Sequence, residues 1–543
     1  MTTDSIRDQH TSVYFCSRRP SRGRDGELCI YISPSEDDWN DYGTQLRAVA
    51  NVWSGKEFVH VPALIGFYGK DAMSANGRLR LKEITSKSSR AIPANEFDFF
   101  LMLPAMEHYR ILVGSIGPKQ SKSILMAARD LATWYHFKPS STWIRVAMQD
   151  EAFSLSFMRD SEVHFALYNA GYVLRGLDQE VTARPATCWD LNFKIASSEN
   201  EHSIRLRFDH SDFLPRRISV IIGKNGVGKS QSLRAIAKSL LQAAPGLVDS
   251  NGGRPRVSRL IAFSPSGEGT ASFPAESEKY ATWYRKFPIG RTSRQPQDRR
   301  ASEVIVRLAR SQATIAGSTR LELFRSSLTA ITGYEQLGLS VTSGLPILLR
   351  DLRGSTSIAS LRTIARIDRS KAPVRVVDGA ALPLSSGEAS FVTFAAQLCD
   401  CIENGSLVLL DEPETHLHPN LISSFCSLLE KTLRATGSSA VIATHSAYFV
   451  REVFREQVTV INRTGNLTEI VKPRLRTFGA DIGAISRFVF GEEDESRLAH
   501  QLMRQIVSHE ADWDTVYAKY KDELSMELLG AIRDEMESKE VSE

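Results

Sequence analysis

Residues 218–242 run Ile218-Ser219-Val220-Ile221-Ile222, then Gly223-Lys224-Asn225-Gly226-Val227-Gly228-Lys229-Ser230, then QSLRAIAKSLLQ. An apolar run of strand type meets a glycine-rich turn, and an amphipathic helical pattern follows. The turn satisfies GxxxxGK[ST] in full. Each residue type has a task there. Glycines let the backbone curl until successive N–H groups face phosphate oxygens. The start of the helix adds positive potential at the same place. Lys229 is a point charge for the β and γ phosphates, and Ser230 offers a hydroxyl to Mg²⁺. Gly223 to Ser230, with Gln231 next on the helix, are therefore the candidate nucleotide-binding residues.

Three further segments complete the pattern. Leu407-Val408-Leu409-Leu410-Asp411-Glu412 is an apolar strand ending in two acids. Asp411 suits Mg²⁺ coordination through water, and Glu412 suits the general base that polarises an attacking water. Leu384-Ser385-Ser386-Gly387-Glu388 opens the helical stretch ASFVTFAAQLCDCI. Ser385 and Gly387 at a helix start suit phosphate oxygens, and Glu388 completes this candidate nucleotide-binding segment. The spacing from Ser385 to Glu388 is also that of an ordinary capping box. Val441-Ile442-Ala443-Thr444-His445-Ser446 puts a histidine at the end of another buried strand, where it can contact a γ-phosphate.

In this order the four segments resemble the ATP-binding-cassette ATPases over about 186–492. Lys229 and Ser230 match Walker A, Asp411 and Glu412 match Walker B, Ser385 and Gly387 match the signature LSxG[QE], and His445 matches the switch histidine. The resemblance implies ATP and Mg²⁺ as cofactors and Mg-dependent ATP hydrolysis. It implies a head-to-tail homodimer, or a higher homo-oligomer, with two nucleotides sandwiched between copies. The wording DEPETHLHP at 411–419 is closer to the soluble RecF, SMC and OLD-like branch than to transporters. His416 and His418 are absorbed by that wording, with a zinc HxH pair as the alternative. The glutamine expected after the strand RLIAFS is replaced by Ser264 and Pro265. Phe208 and Phe213 are the nearest candidates for an adenine-stacking aromatic.

The closest resemblance is to the PtuA-type ATPases of the Septu anti-phage defence systems, some of them tied to retrons. It is carried by GKNGVGKS, the SPSG turn, LSSGEASF, LDEPETHLHP, ATHSAYFVRE and the segment Thr477–Ser486 followed by FVFG. It implies a regulator of a separate HNH-type effector nuclease, with a retron reverse transcriptase and its msDNA, or other nucleic acid, as further partners. A RecF-like repair ATPase acting directly on DNA is the alternative. SMC-type coiled coils need sustained heptads, whereas the interval from Ser230 to Leu384 is broken by glycine and proline.

The rest of the chain sets the frame. It has 543 residues, 67 basic and 63 acidic, for a net charge of +4, so neither a basic nucleic-acid coat nor an acidic tail describes it. That length predicts more than one hydrophobic core. Six cysteines without a CxxC pair read as buried thiols. The sequence has no run fit to cross a membrane, and MTTDSIRDQH lacks a leader's apolar stretch, so the expectation is a cytoplasmic protein without a membrane partner.

Expected fold class is α/β: an ABC-type P-loop cassette with a compact helical insertion, plus a separate α+β N-terminal domain. The expected divisions are 1–185, a domain of unknown role; 186–270, the lobe with Walker A; 271–380, the insertion; 381–492, the second lobe; and 493–543, a helical tail. Within the first region, residues 121–137 have the spacing of one helix, with Ile124, Leu125, Ala128, Leu131 and Tyr135 near one face. Asp37, Asp38 and Asp41 around Trp39 read as a polar turn. Arg291, Arg294, Arg299, Arg300, Arg307, Arg310, Arg320 and Arg325 read as a solvated or docking face, with a nucleic-acid backbone as the alternative. Asp512 and Asp514 read as a solvated helix face.

Overall fold

The structure is a computed structural model. It describes residues 11–540, leaving out 24–26, 37–44, 72–75, 150–160, 177–187, 196–197, 209–213, 215, 243, 251, 256, 266–272, 278–279, 281, 290–296, 312, 316, 355–356, 491–496 and 511. Asp37, Asp38, Asp41, Phe213, Arg291 and Arg294 lie outside the described residues. Two compact units result, Met1–Gly479 and Ala480–Glu543.

The N-terminal part of the first unit is α+β. Its six-stranded mixed sheet has the order Ile92–Pro93, Thr11–Phe15, Leu28–Pro34, Arg47–Trp53, Phe58–Phe67, Phe99–Met102. The core joins Phe15, Ile30, Ile32, Phe99 and Phe100 of the strands to Leu112, Ile124, Leu125 and Leu167 of the helices. The stretch read as one helix over 121–137 is two, Pro118–Ala127 and Leu131–Phe137. Arg129 takes a left-handed φ of 53°. Asp130 then caps the second helix by accepting the Thr133 N–H at 2.7 Å. The apolar spacing survives the break, so the sequence pattern conceals it: Ile124, Leu125, Ala128 and Leu131 are all fully buried.

The cassette is built on a seven-stranded sheet. Its order is Trp283–Ile289, Arg259–Pro265, Leu407–Asp411, Ser439–Thr444, Ile218–Ile222, Val458–Thr464, Leu467–Val471. All pairings are parallel except the last. Parallel strands covered on both faces need unbroken apolar runs. Accordingly every residue of Ile218–Ile222, Leu407–Asp411 and Ser439–Thr444 is buried. A smaller antiparallel sheet of Leu247–Asp249, Cys188–Lys194 and Glu201–Arg207 closes over the helix Lys229–Gln242 through Trp189, Leu191, Leu206, Leu233, Ile236 and Leu240.

Among its described residues, the interval 271–380 holds the α-helices Gln297–Arg310, Arg320–Leu328 and Ile358–Ala365. The first two pack on the helix Ser386–Cys401. The interval is not purely helical. Trp283–Ile289 is the edge strand of the main sheet, and a four-stranded antiparallel sheet runs Ile347–Leu348, Leu337–Leu339, Val374–Val377, Ala380–Pro383. Its strands are two to four residues long, too short for alternation to show in the sequence.

The arginine stretch is likewise not one exposed face. Arg307 pairs with Asp400, Arg320 is buried, and Arg325 donates to the Leu352 carbonyl at 3.4 Å. The cysteines follow expectation, with all six free and Cys16, Cys29, Cys399, Cys401 and Cys426 buried. Among the described residues no helix is long and apolar enough to cross a membrane.

The second unit holds the helices Ile482–Phe490, Arg497–His509, Trp513–Tyr520 and Met526–Glu540, with a core of Met503, Ile506, Val507, Val516, Ile532 and Met536. The division falls at 479/480 rather than 492/493. Gly479 adopts a left-handed φ of 72°, and Asp481 accepts the Ala484 N–H at 2.9 Å to start the first helix. Asp512 caps its helix through the Thr515 N–H at 2.9 Å, a structural use of the Asp512–Asp514 pair.

Candidate active site

Register in the parallel sheet decides what meets at its edge. Asp411 lies beside Ala443, and Thr444 lies beside Ile222. The C-terminal ends of three neighbouring strands therefore bring the phosphate loop, the two acids and His445 to one edge, where open α/β sheets bind ligands.

The loop is shaped by its glycines at two points. A Cβ on Gly223 would stand 2.3 Å from the Ile461 carbonyl oxygen. Gly228 has a φ of 112°, and a Cβ there would meet Ile195 Cδ1 at 2.7 Å. Val227 is buried beneath the loop, while Lys224, Asn225 and Gly226 are exposed at its crest. Lys229 and Ser230 open the helix Lys229–Gln242, with Gln231 half-buried behind them.

Lys229 is buried, and its Nζ donates to the carbonyls of Gly223 at 3.0 Å and Lys224 at 3.1 Å. Burial pushes its pKa down, with Glu412, Glu414 and Asp411 opposing the shift. Glu412 Oε1 stands 3.8 Å from that ammonium. Ser230 Oγ donates to Asp411 Oδ1 at 2.9 Å. A hydroxyl and a carboxylate at one point form the hard oxygen set that suits Mg²⁺. With the exposed crest of the loop and a buried ammonium beside it, these residues fit a magnesium nucleotide.

Glu412 marks a reversal of the backbone. Its φ of 44° and ψ of 54° are left-handed, a conformation with a cost on the order of 1–3 kcal/mol. Its N–H is held by the Ala443 carbonyl at 2.8 Å. Glu412 is half-buried, whereas Asp411 before it is buried.

Glu414 completes the geometry, and the sequence reading missed it. It is buried, and its Oε1 accepts the His445 backbone N–H at 2.8 Å and the Thr444 hydroxyl. The same oxygen is 3.1 Å from His445 Nδ1, while Glu412 Oε1 is 3.9 Å away. Burial raises the Glu414 pKa, against the bonds from Thr444 and His445. With Nδ1 turned to Glu414, Nε2 is the ring nitrogen left for a phosphate oxygen, to which it donates when it carries a proton. The available signal was the third acid of Asp411-Glu412-Pro413-Glu414, two residues on from the base.

Lys229, Ser230, Asp411, Glu412 and His445 thus come together. Ser385, Gly387 and Glu388 form a separate station at the start of the helix Ser386–Cys401. There the capping box is realised: Ser385 Oγ accepts the Glu388 N–H at 3.3 Å, and Glu388 Oε2 accepts the Ser385 N–H at 3.0 Å. Glu388 also pairs with Arg375. Burial raises its carboxyl, but Ser385 and Arg375 bring it below the ordinary value. His418 caps the helix Pro419–Thr436 by accepting the Asn420 N–H at 3.4 Å. Phe208 is buried against Trp189, with 5.2 Å between ring centroids, so it is a core aromatic rather than an adenine platform.

The family described as "AAA domain, putative AbiEii toxin, Type IV TA system" matches residues 347–451. Protein ea59 of Escherichia phage lambda is 36% identical over 146 residues, 27% of this chain and 28% of that protein. The chain therefore spans little more than a quarter of that relative's length. The SMC head domain from Thermotoga maritima is similar at a TM-score of 0.27 and 12% identity, over 54% of this chain and 100% of that one. UvrA2 from Deinococcus radiodurans is similar at a TM-score of 0.27 and 15% identity, over 55% and 39%. Strand register and the four motifs carry the fold assignment. The fold is that of an ABC-type P-loop cassette.

Proposed function

We propose that the protein is a Mg²⁺-dependent ATPase that closes head to tail on ATP and thereby controls a separate HNH-type effector nuclease in anti-phage defence. The observation that carries the ATPase part is the joint placement of the Ser230–Asp411 pair, the buried Lys229 and the Glu412 carboxylate 3.8 Å from its amine. Bound Mg-ATP supplies the phosphoryl group and its leaving ADP. Lys229 supplies fixed positive charge for the terminal phosphates. Ser230 and Asp411 hold the cation. Glu412 takes the proton of the attacking water. Glu414 holds His445 by its Nδ1 so that Nε2 meets the γ-phosphate. The exposed Ser385 helix start serves the nucleotide of a second copy.

The defence part is supported by the segments resembling Septu ATPases and by the toxin–antitoxin wording of the family matched at 347–451. Its test is purification of the Glu412→Gln chain from its native host, followed by mass spectrometry. A stoichiometric nuclease, lost when Lys229→Ala is added, is the expected result. DNA-repair proteins or DNA without a nuclease would overturn the regulator reading in favour of a repair ATPase.

A further inference from the structure

One turn of the cassette, residues 402–406, joins the end of the helix Ser386–Cys401 to the start of the strand Leu407–Asp411. It links the Ser385 station to Asp411 and Glu412. The N-terminal domain grips it at two points and the neighbouring sheet strand at a third. Arg110, on the helix Met106–Ile116, makes a two-pronged bond to buried Glu403, at 2.8 Å to Oε1 and 3.1 Å to Oε2. Phe165, on the helix Ser161–Leu174, lies where a side chain on Gly405 would be, with its Cε2 2.6 Å from a Cβ built there. Glu162, one turn earlier, pairs at 2.6 Å with Arg259 of the cassette sheet.

The cations also finish the helix. Its last carbonyls have no partner within the helix, and the C-terminal end favours positive charge. Arg259 donates to the Cys401 carbonyl at 2.9 Å. Arg320, from the insertion, donates to Cys399 at 3.0 Å and Ile402 at 2.7 Å. Arg320 also stands 3.5 Å from Glu403. N-terminal domain, insertion and sheet therefore meet in one buried ionic cluster. The 16-residue helix is a lever about 24 Å long with Ser385 at its far end.

We propose that Arg110 and Phe165 are positioning residues of the ATPase, fixing the 402–406 turn so that a change in the N-terminal domain is passed to the Ser385 station and to Glu412. The N-terminal domain is then an input to turnover rather than an appendage. This rests on the ATPase reading above.

The test uses the full chain with Arg110→Met, and also Arg110→Met combined with Glu403→Gln, which leaves no unpaired carboxylate if the single variant fails to fold. Fluorescent Mg-ATP-analogue affinity, kcat and hydrogen exchange with and without nucleotide are measured on each. Expected are an analogue Kd within about twofold of the parent and a kcat at least tenfold lower. Nucleotide protection of 106–116 and 161–174, present in the parent, should be lost. Rescue of kcat by Arg110→Lys should be partial. Unchanged kcat in a folded variant, or equal loss of affinity and kcat with exchange raised throughout, would overturn the coupling. A parent that binds nucleotide without turnover would instead remove the ATPase reading, leaving the exchange comparison to decide the coupling.

Discussion

At the scale of single residues, the site divides into groups that act on phosphate and groups that hold them. Glu414 belongs to the second kind. Replacing it with Ala frees His445 from its Nδ1 anchor, so kcat should fall about tenfold while nucleotide affinity stays unchanged, a smaller loss than that of the base itself. Steady-state kinetics beside equilibrium binding checks this; equal loss of both would point to collapse of the strand end instead. Glu403 acts on stability. Burial alone would raise its carboxyl, but Arg110, Arg259 and Arg320 hold it down at about 2. In the unfolded chain it titrates near the ordinary value of about 4.3. The stabilisation is complete above that value and is lost as pH falls from about 4.3 toward 2. Denaturation curves across this window should show a limb that flattens in Glu403→Gln. That variant should also be less stable at neutral pH by roughly 3–5 kcal/mol, because Arg110 is left buried without its partner.

At the scale of elements, the helix Ser386–Cys401 has two designed ends. Its start carries a capping box, and its finish is closed by arginines from two other segments. Ser385→Ala should cost about 1 kcal/mol of stability through the lost cap. In the proposed dimer it should also lower kcat without changing monomer nucleotide affinity. Thermal denaturation and turnover, measured on the same preparation, separate the two effects. Legibility in the sequence follows the range of the interactions. The phosphate loop, Asp411, Glu412 and His445 were readable because a local strand–turn pattern places each of them. Glu414 was not, since its role depends on the neighbouring strand ending beside it. Arg110 and Arg320 were unreadable as partners of Glu403, being 293 and 83 positions away in sequence. The break at Arg129 was hidden because apolar spacing continued across it.

At the scale of the molecule, a phosphate site at one edge of the sheet is tied through one strand to a buried ionic cluster at the other. The first unit carries both; the helical second unit adds its own small core. Head-to-tail closure predicts that Glu412→Gln with Mg-ATP sediments as a dimer at concentrations where Lys229→Ala remains monomeric. In the proposed function this edge hydrolyses ATP with Glu412 as base. The most direct measurement is phosphate release by the parent and Glu412→Gln under saturating Mg-ATP, with nucleotide affinity measured in parallel. Expected are turnover in the parent, a loss of about 10²–10⁴-fold in the variant, and unchanged affinity. Equal turnover in the two proteins would contradict it.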